Sequence, residues 1–352
     1  MLRLLSRVTA AGVPWLVIAG LLYVGLFVKP QPVGKTVVPA AIEARDRFYG
    51  IAVVGDHAIW AVGADGKVIL SNDKGRSWSV QKTPVALHLQ DIAAWNDRFA
   101  VAVGNDGVVL RTEDGGQSWH QAQAPVSDVV NKLIDVKAYT DGEAWAVGAF
   151  GMIIRTQDYG RTWEQMREAE DFILNEIVRV SSGVLVAVGE FGTVLRTDDN
   201  GANWQVVDAV AEASLMSVDF RDDLNGVAVG LEGVILATGD AGLSWAAVTN
   251  SLSTPPAMTE PGTARSDSWE DMTTEHIFTV RWVEAMQRWV AAGAKGVWVT
   301  GNKELDQWES GRLAAREMAW HTALAPIDKG VIMAGRNLGI WSDRVWHVLS
   351  DR

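Results

Sequence analysis

A frame that recurs at a fixed period leaves this chain few folds to adopt. From Gly189 to Trp204 it reads Gly-Glu-Phe-Gly-Thr-Val-Leu-Arg-Thr-Asp-Asp-Asn-Gly-Ala-Asn-Trp. It returns from Gly63 to Trp78, Gly104 to Trp119, Gly148 to Trp163 and Gly230 to Trp245. Each time the opening glycine stands 15 positions before the tryptophan. The opening glycines are spaced by 41, 44, 41 and 41 residues. An altered sixth copy runs from Gly293 to Trp308, with Asn302 and Glu304 where the others have aspartate and glycine. A shortened seventh runs from Gly335 to Trp346. Such a period marks a repeat architecture before any side chain is given a role.

Each repeat holds four strand-like runs. In the fifth copy they are Met216–Phe220, Gly226–Val229, Val234–Thr238 and Ser244–Val248. The first alternates apolar and polar residues, as a half-buried strand does. Gly230 and Gly233 bracket a two-residue tip, and both are expected to supply the positive φ of a tight hairpin. Four antiparallel strands per period of about 41 residues describe a propeller blade. The expected fold is therefore all-β, a seven-bladed propeller over 48–352. Closure into a ring removes the two sheet edges that an open array would expose. Blade seven is completed either by Val345–Leu349 alone or by a strand added from Thr36–Ile42. The step from Gly230 to Gly293 is 63 residues. The excess maps to an insertion loop over 250–275, rich in Ser, Thr and Pro, between blades five and six.

Val8–Val28 carries no charge and is flanked by Arg7 and Lys29. As a helix it would span roughly 31 Å, about one bilayer core. Residues 1–28 are expected to be an uncleaved N-terminal transmembrane anchor and 29–47 a linker. Arg3 and Arg7 hold the amino end in the cytoplasm. This places the protein as a single-pass protein of a bacterial inner membrane, with its propeller in the periplasm. A cleaved signal is the rival reading. The chain has no cysteine, so disulfides and thiolate chemistry are excluded. A net charge of −12 opposes nucleic-acid binding.

The end of each frame, Ser/Thr-x-Asp-x-Gly-x-x-Trp, is the Asp-box pattern. Its aspartates are Asp73, Asp114, Asp158, Asp199 and Asp240, and its tryptophans Trp78, Trp119, Trp163, Trp204 and Trp245. The carboxylate is suited to accept from its own loop, the glycine to turn the chain, and the indole to anchor the outer strand. These residues are read as structural. One or two oxygens per turn are too few for calcium, and the six histidines lack metal-ligand spacing. No metal or cofactor is expected.

The repeat Ala-Val-Gly-x-x-Gly-x-[Val/Ile]-Leu-x-Thr-x-Asp-x-Gly-x-x-Trp resembles the photosystem II stability and assembly factor family, over about 48–349. The resemblance implies a seven-bladed propeller, exported across a membrane, that assists assembly of membrane protein complexes and is not an enzyme. In non-photosynthetic bacteria such relatives accompany resistance-nodulation-division type transporters. The implied partner is thus an inner-membrane protein complex, a transporter among the candidates. Two other readings stay open: a carbohydrate-active, sialidase-like Asp-box hydrolase, and a soluble periplasmic binding module. A cluster of arginine and carboxylates in the central pocket would favour the hydrolase. Against it, the sialidase arginine element is missing and only Tyr49, Tyr139 and Tyr159 lie outside the anchor.

Two surfaces are candidates for partner contact. Phe150, Phe191 and Leu231 fall at the hairpin tips of blades three to five, on the face where the insertion with Trp269 leaves blade five. Arg111, Arg155 and Arg196 precede the Asp-box threonines of blades two to four and would form a basic ladder on the rim. The alternative for the arginines is pairing with in-chain acids or stacking on tryptophan.

Overall fold

The structure is a computed structural model that describes residues 15, 17–24, 39–55, 57–126, 131–208, 211–248 and 273–349. The chain divides into two units, Met1–Pro39 and Ala40–Arg352. In the first, residues 15 and 17–24 are helical. No helix among the described residues is long and apolar enough to cross a membrane. Most of the span expected over Val8–Val28 lies outside the described residues. So do Trp269, residues 29–38 of the linker and all but the last three residues of the 250–275 insertion.

The second unit is a seven-bladed propeller. Its described residues form seven antiparallel sheets of four strands, each sheet built from four strands consecutive in sequence. Blade two shows the pattern: an inner strand Leu89–Ala94, then Ala100–Gly104, Val109–Thr112 and an outer strand His120–Gln121. The inner strands of the other blades are Phe48–Val54, Leu133–Ala138, Leu174–Ser181, Leu215–Phe220, Ile277–Val283 and His321–Ile327. Second strands such as Ala-Val-Ala-Val-Gly are buried along their whole length, because both faces of the sheet are covered by neighbouring blades.

Seven separate apolar cores lie between the blades, one per seam. The seam of blades one and two packs Trp60, Val62 and Leu70 against Leu89, Ile92 and Leu110. The closing seam packs Phe48, Ile59 and Ile69 of blade one against Ala325, Ile332 and Leu338 of blade seven. Seven blades with seven seams make a closed ring. Blade seven takes all four of its strands from the C-terminal side, ending with Val345–Val348 on Leu338–Ser342. The first alternative for completing it therefore holds among the described residues. Closure comes from side-chain packing, helped by Ile42 and Leu349 on the same core and by a 2.8 Å ion pair from Lys74 to Asp328.

The opening glycine of each frame has a different job from the one expected of Gly230. At the six tips of the form Gly-x-x-Gly the positive φ falls on the second tip residue and on the closing glycine, as in Glu232 (φ 59°) and Gly233 (φ 74°). This is the type I′ geometry that matches strand twist. Gly230 is extended, at φ −161°. What excludes a side chain there is close approach. A Cβ on Gly63, 104, 148, 189, 230, 293 or 335 would lie 1.8–2.2 Å from the carbonyl oxygen just before its own blade's inner strand. The next residue's N–H donates to that same oxygen at 2.8–3.0 Å in all seven blades.

Candidate functional site

The Asp-box turns consume their own carboxylates. The Ser or Thr hydroxyl accepts from the glycine N–H at 2.8–3.1 Å in blades one to five. One aspartate oxygen accepts a backbone N–H from the residue before the tryptophan. The other accepts that residue's side chain: Ser77, Ser118, Thr162, Asn203 or Ser244. Those side-chain and backbone donors hold Asp73, Asp114 and Asp199 down at about 2. Asp158 and Asp240 are also lowered, their donors outweighing burial. In blade six Asn302 substitutes, accepting from Asp306 and Gln307 N–H at 3.1 Å. Trp119, Trp163 and Trp245 are buried, while Trp78 and Trp204 are half-buried.

The arginine ladder is committed within the chain. Arg111 pairs with Glu113, which also holds Arg161 at 2.9 Å. Arg155 lies 2.9 Å from Glu143 and its guanidinium sits over the Trp145 ring. Arg196 donates to the Ala241 carbonyl and lies 3.4 Å from Asp198. A partner carboxylate would have to displace these contacts.

The hairpin tips are unequal. Phe150 and Phe191 occupy the second tip position, at φ 57° and 55°, while Leu231 sits one residue earlier and is half-buried. The tips pack on the links that leave their own blades: Gly151 N–H donates to the Phe172 carbonyl and Phe191 N–H to Ser214 Oγ. Phe191 remains 74% exposed. A bulky left-handed residue is costly, so an exposed one held there marks a position shaped by something other than local stability.

The inner strands line the central channel, a cavity of about 430 Å³, along their length, and their first residues lie at the hairpin-tip face. Every inner strand carries a β-bulge where it pairs with its second strand. The seven extra residues are Tyr49, Gln90, Ile134, Asn175, Met216, Phe278 and Thr322, and all seven line the channel. A bulge re-aims the residue it adds. Trp320 stacks flat on Tyr49 at 5.7 Å.

The residue after each bulge answers a structural need. The inner strand is the free edge of its blade, with N–H groups that no strand pairs. Asp91 accepts from Val136 N–H at 3.1 Å, Asp135 from Ile177 at 3.1 Å, Glu176 from Val218 at 2.9 Å and Ser217 Oγ from Val280 at 3.0 Å. Blades two to five thus each cap the next. The matching residues on blades six, seven and one are Thr279, whose hydroxyl has no partner among the described residues, and Ala323 and Gly50, which have no side-chain acceptor to offer.

Lys137 and Arg281 complete the cluster. Lys137 pairs with Asp135 and lies 2.8 Å from Glu176, and Arg281 lies 2.6 Å from Glu176. Burial pushes Glu176 up, but Arg281 and Lys137 overcome it and hold it at about 2. Lys137 and Arg281 are raised: burial opposes their charge, and the surrounding carboxylates win. Burial raises Asp91 well above the usual carboxylate range against the pull of Lys137, and the charge of Asp135 and a hydrogen bond to its carboxyl add to the rise. Asp135 and Asp219 are raised by burial too. This is the arginine–carboxylate grouping that would favour a hydrolase. Its carboxylates, however, are tied to backbone N–H groups and to Lys137 and Arg281.

Fold and site together define an Asp-box propeller with a residue-ringed channel mouth on one face and closed turns on the other. The model of the family described as "Photosynthesis system II assembly factor YCF48" matches residues 77–206, so the resemblance read from the repeats is borne out. A solved structure of YCF48 bound to a D1 peptide is similar at 17% identity and TM-score 0.63, over 83% of this chain and 91% of that one. YCF48 from Cyanidioschyzon merolae gives 16% and 0.64, over 84% and 95%. The WD40 propeller of Doa1 gives 12% and 0.59, over 89% and 96%, so the structural likeness speaks to the fold. No curated protein matches.

Proposed function

We propose that the protein is a non-enzymatic scaffold that binds a protein partner through the channel-mouth face, in the manner of an assembly factor. The observation that carries this reading is the seven-fold bulge. The fold spends one irregular residue per blade to ring the mouth, beside the strained and exposed Phe191. The similar YCF48 structure with a D1 peptide supports a peptide or protein ligand. Membrane anchoring through the N-terminal segment, a periplasmic propeller, and an inner-membrane complex such as a resistance-nodulation-division type transporter as client complete the proposal. They rest on the charge-free Val8–Val28 and on the resemblance. A mild-detergent pull-down from native membranes tests it. One stoichiometric membrane protein is expected. Recovery of no protein, together with a bound sugar, would overturn the reading.

The hydrolase reading has one observation in its favour, the Arg281–Glu176 grouping in the channel. Turnover of a fluorogenic glycoside that is lost in Glu176→Gln would establish it.

A further inference from the structure

Charge is sorted around the hairpin-tip face, which carries the tips and the links that leave each blade. Around blades six, seven and one (residues 40–47, 64–67, 82–88, 273–276, 294–296, 312–320 and 336–337), Lys and Arg number eight and Asp and Glu five. Across the described tips and links of blades two to five (105–107, 122–126, 131–132, 149–151, 166–173, 190–192, 208, 211–214 and 231–233), they number two and eight. One arc of the face is thus basic on a chain of net charge −12, and the other, which holds Phe191, is acidic.

The basic arc has cations to spare and an apolar point. Arg316 and Arg336 are exposed and make no ion pair among the described residues, unlike Lys295 and Arg312, which share Glu275. Met318, two residues after Arg316, is 63% exposed. Arg336 N–H donates to the Trp320 carbonyl at 2.9 Å, and the Trp320 ring stacks on Tyr49. Arginine beside methionine and indole suits a surface that meets lipid headgroups, where cations pair with phosphates and indole rings favour the interface.

The chain also enters the propeller here. On the tip of blade one, Ala64 N–H donates to the Arg47 carbonyl at 3.0 Å and Lys67 pairs with Asp46. Glu43 N–H donates to Asp46 at 2.8 Å. The chain upstream of Glu43 therefore joins the ring at the basic arc, and the charge-free Val8–Val28 belongs to that upstream part.

We propose that the basic arc rests on a bilayer surface bearing anionic lipid headgroups, with Arg316 and Arg336 on the headgroup phosphates and Met318 in the headgroup layer. Each cation near such a surface adds to the attraction, which fades beyond about 10 Å in 0.1 M salt. The same field repels the acidic arc, so Phe191 stays clear of lipid and open to a protein. The inference rests on the membrane-anchored reading and adds to it the lipid chemistry that the ring meets.

The chain has no cysteine, so single labels can be placed without background. A nitroxide is attached at Met318→Cys, at Glu212→Cys on the acidic arc, or at Ala202→Cys on the opposite face. The full-length protein is placed in nanodiscs of phosphatidylcholine, with or without phosphatidylglycerol. Collisions of the label with a neutral, water-soluble nickel chelate and with oxygen are then measured. With phosphatidylglycerol, the label at 318 should lose most of its collisions with the chelate and gain collisions with oxygen, while labels at 212 and 202 change little. Arg316→Glu with Arg336→Glu should lower the docked population by about tenfold or more and restore the chelate collisions. Shielding of 318 that is equal with and without phosphatidylglycerol, that survives both charge reversals, or that is matched at 212 would each overturn the inference. Should the doubly reversed protein fail to fold, the comparison of the two lipids on the unreversed protein decides. A chain that does not co-elute with nanodiscs of either composition removes the anchor, and this inference with it. One that co-elutes but leaves 318 open to the chelate sinks this inference alone.

Discussion

Single residues carry two opposite kinds of cost in this protein. Gly189 is a glycine because a Cβ would stand 2.1 Å from the Ile173 carbonyl, although its backbone is extended. Gly189→Ala should therefore lower stability by about 2 kcal/mol or more, from overpacking against backbone that cannot retreat. A urea melt measures it, and a change within 0.5 kcal/mol, about the size of an ordinary surface substitution, would contradict the close-approach account. Phe191 is the reverse case. Its left-handed backbone costs roughly 1–2 kcal/mol, and its ring is exposed. Phe191→Asn, a residue that tolerates this conformation, should keep or raise the melting temperature while weakening partner capture. A less stable variant that captures normally would make the phenylalanine structural.

At the scale of the strand, the capping chain from Asp91 to Ser217 divides the ring into a tied arc and a loose one. A hydrogen bond to a charged acceptor is worth about 1.5–3 kcal/mol. Native-state hydrogen exchange should accordingly find the capped N–H groups of Val136, Ile177 and Val218 slower than those of Ile51 and Leu324. The neighbours of the latter two, Ala323 and Thr279, cap nothing. Uniform protection around the ring would refute the division. Much of this was readable. Turn chemistry and period show directly in Thr-x-Asp-x-Gly-x-x-Trp, because each turn is satisfied by residues within its own eight positions. The polar residue just before each Asp-box tryptophan, the second half of the carboxylate's cradle, stood in the same column unread. The caps join positions 42–63 residues apart, so no local pattern exposes them. One signal was available: Leu89-Gln90-Asp91-Ile92, Leu133-Ile134-Asp135-Val136 and Leu174-Asn175-Glu176-Ile177 align 15 residues before the opening glycines. A charge in that column is out of place on a strand unless it faces a channel. For the arginines, the in-chain alternative was legible in part: Glu113 and Asp198 stand two residues after Arg111 and Arg196 in one repeat column, whereas Glu143 reaches Arg155 only across the sheet.

For the molecule as a whole, the two families of carboxylates pull stability in opposite directions with pH. Glu176, Asp73, Asp114 and Asp199 sit at about 2 when folded, below their ordinary values of 4.5 and 3.8. Their contribution is full above the unfolded values and is lost as pH falls toward 2. Asp91, Asp135 and Asp219 are raised. The folded state keeps their protons longer, so their effect favours folding most at low pH and fades as pH rises above 3.8. Stability should peak on the acidic side of neutrality, and Asp91→Asn should flatten the fall toward pH 8. Urea melts from pH 3 to 8 would show this, and a profile rising steadily to pH 8 would contradict it. The ring also separates two faces, since the third strand of each blade runs from hairpin tip to Asp-box turn. The claim that the mouth face meets a protein partner is tested most directly by photo-crosslinking in native membranes, with a photoreactive residue placed at position 191 or, on the opposite face, at position 203. An adduct with a single membrane protein from position 191 and none from 203 is the predicted result. An adduct from 203 alone, or from neither, would contradict it.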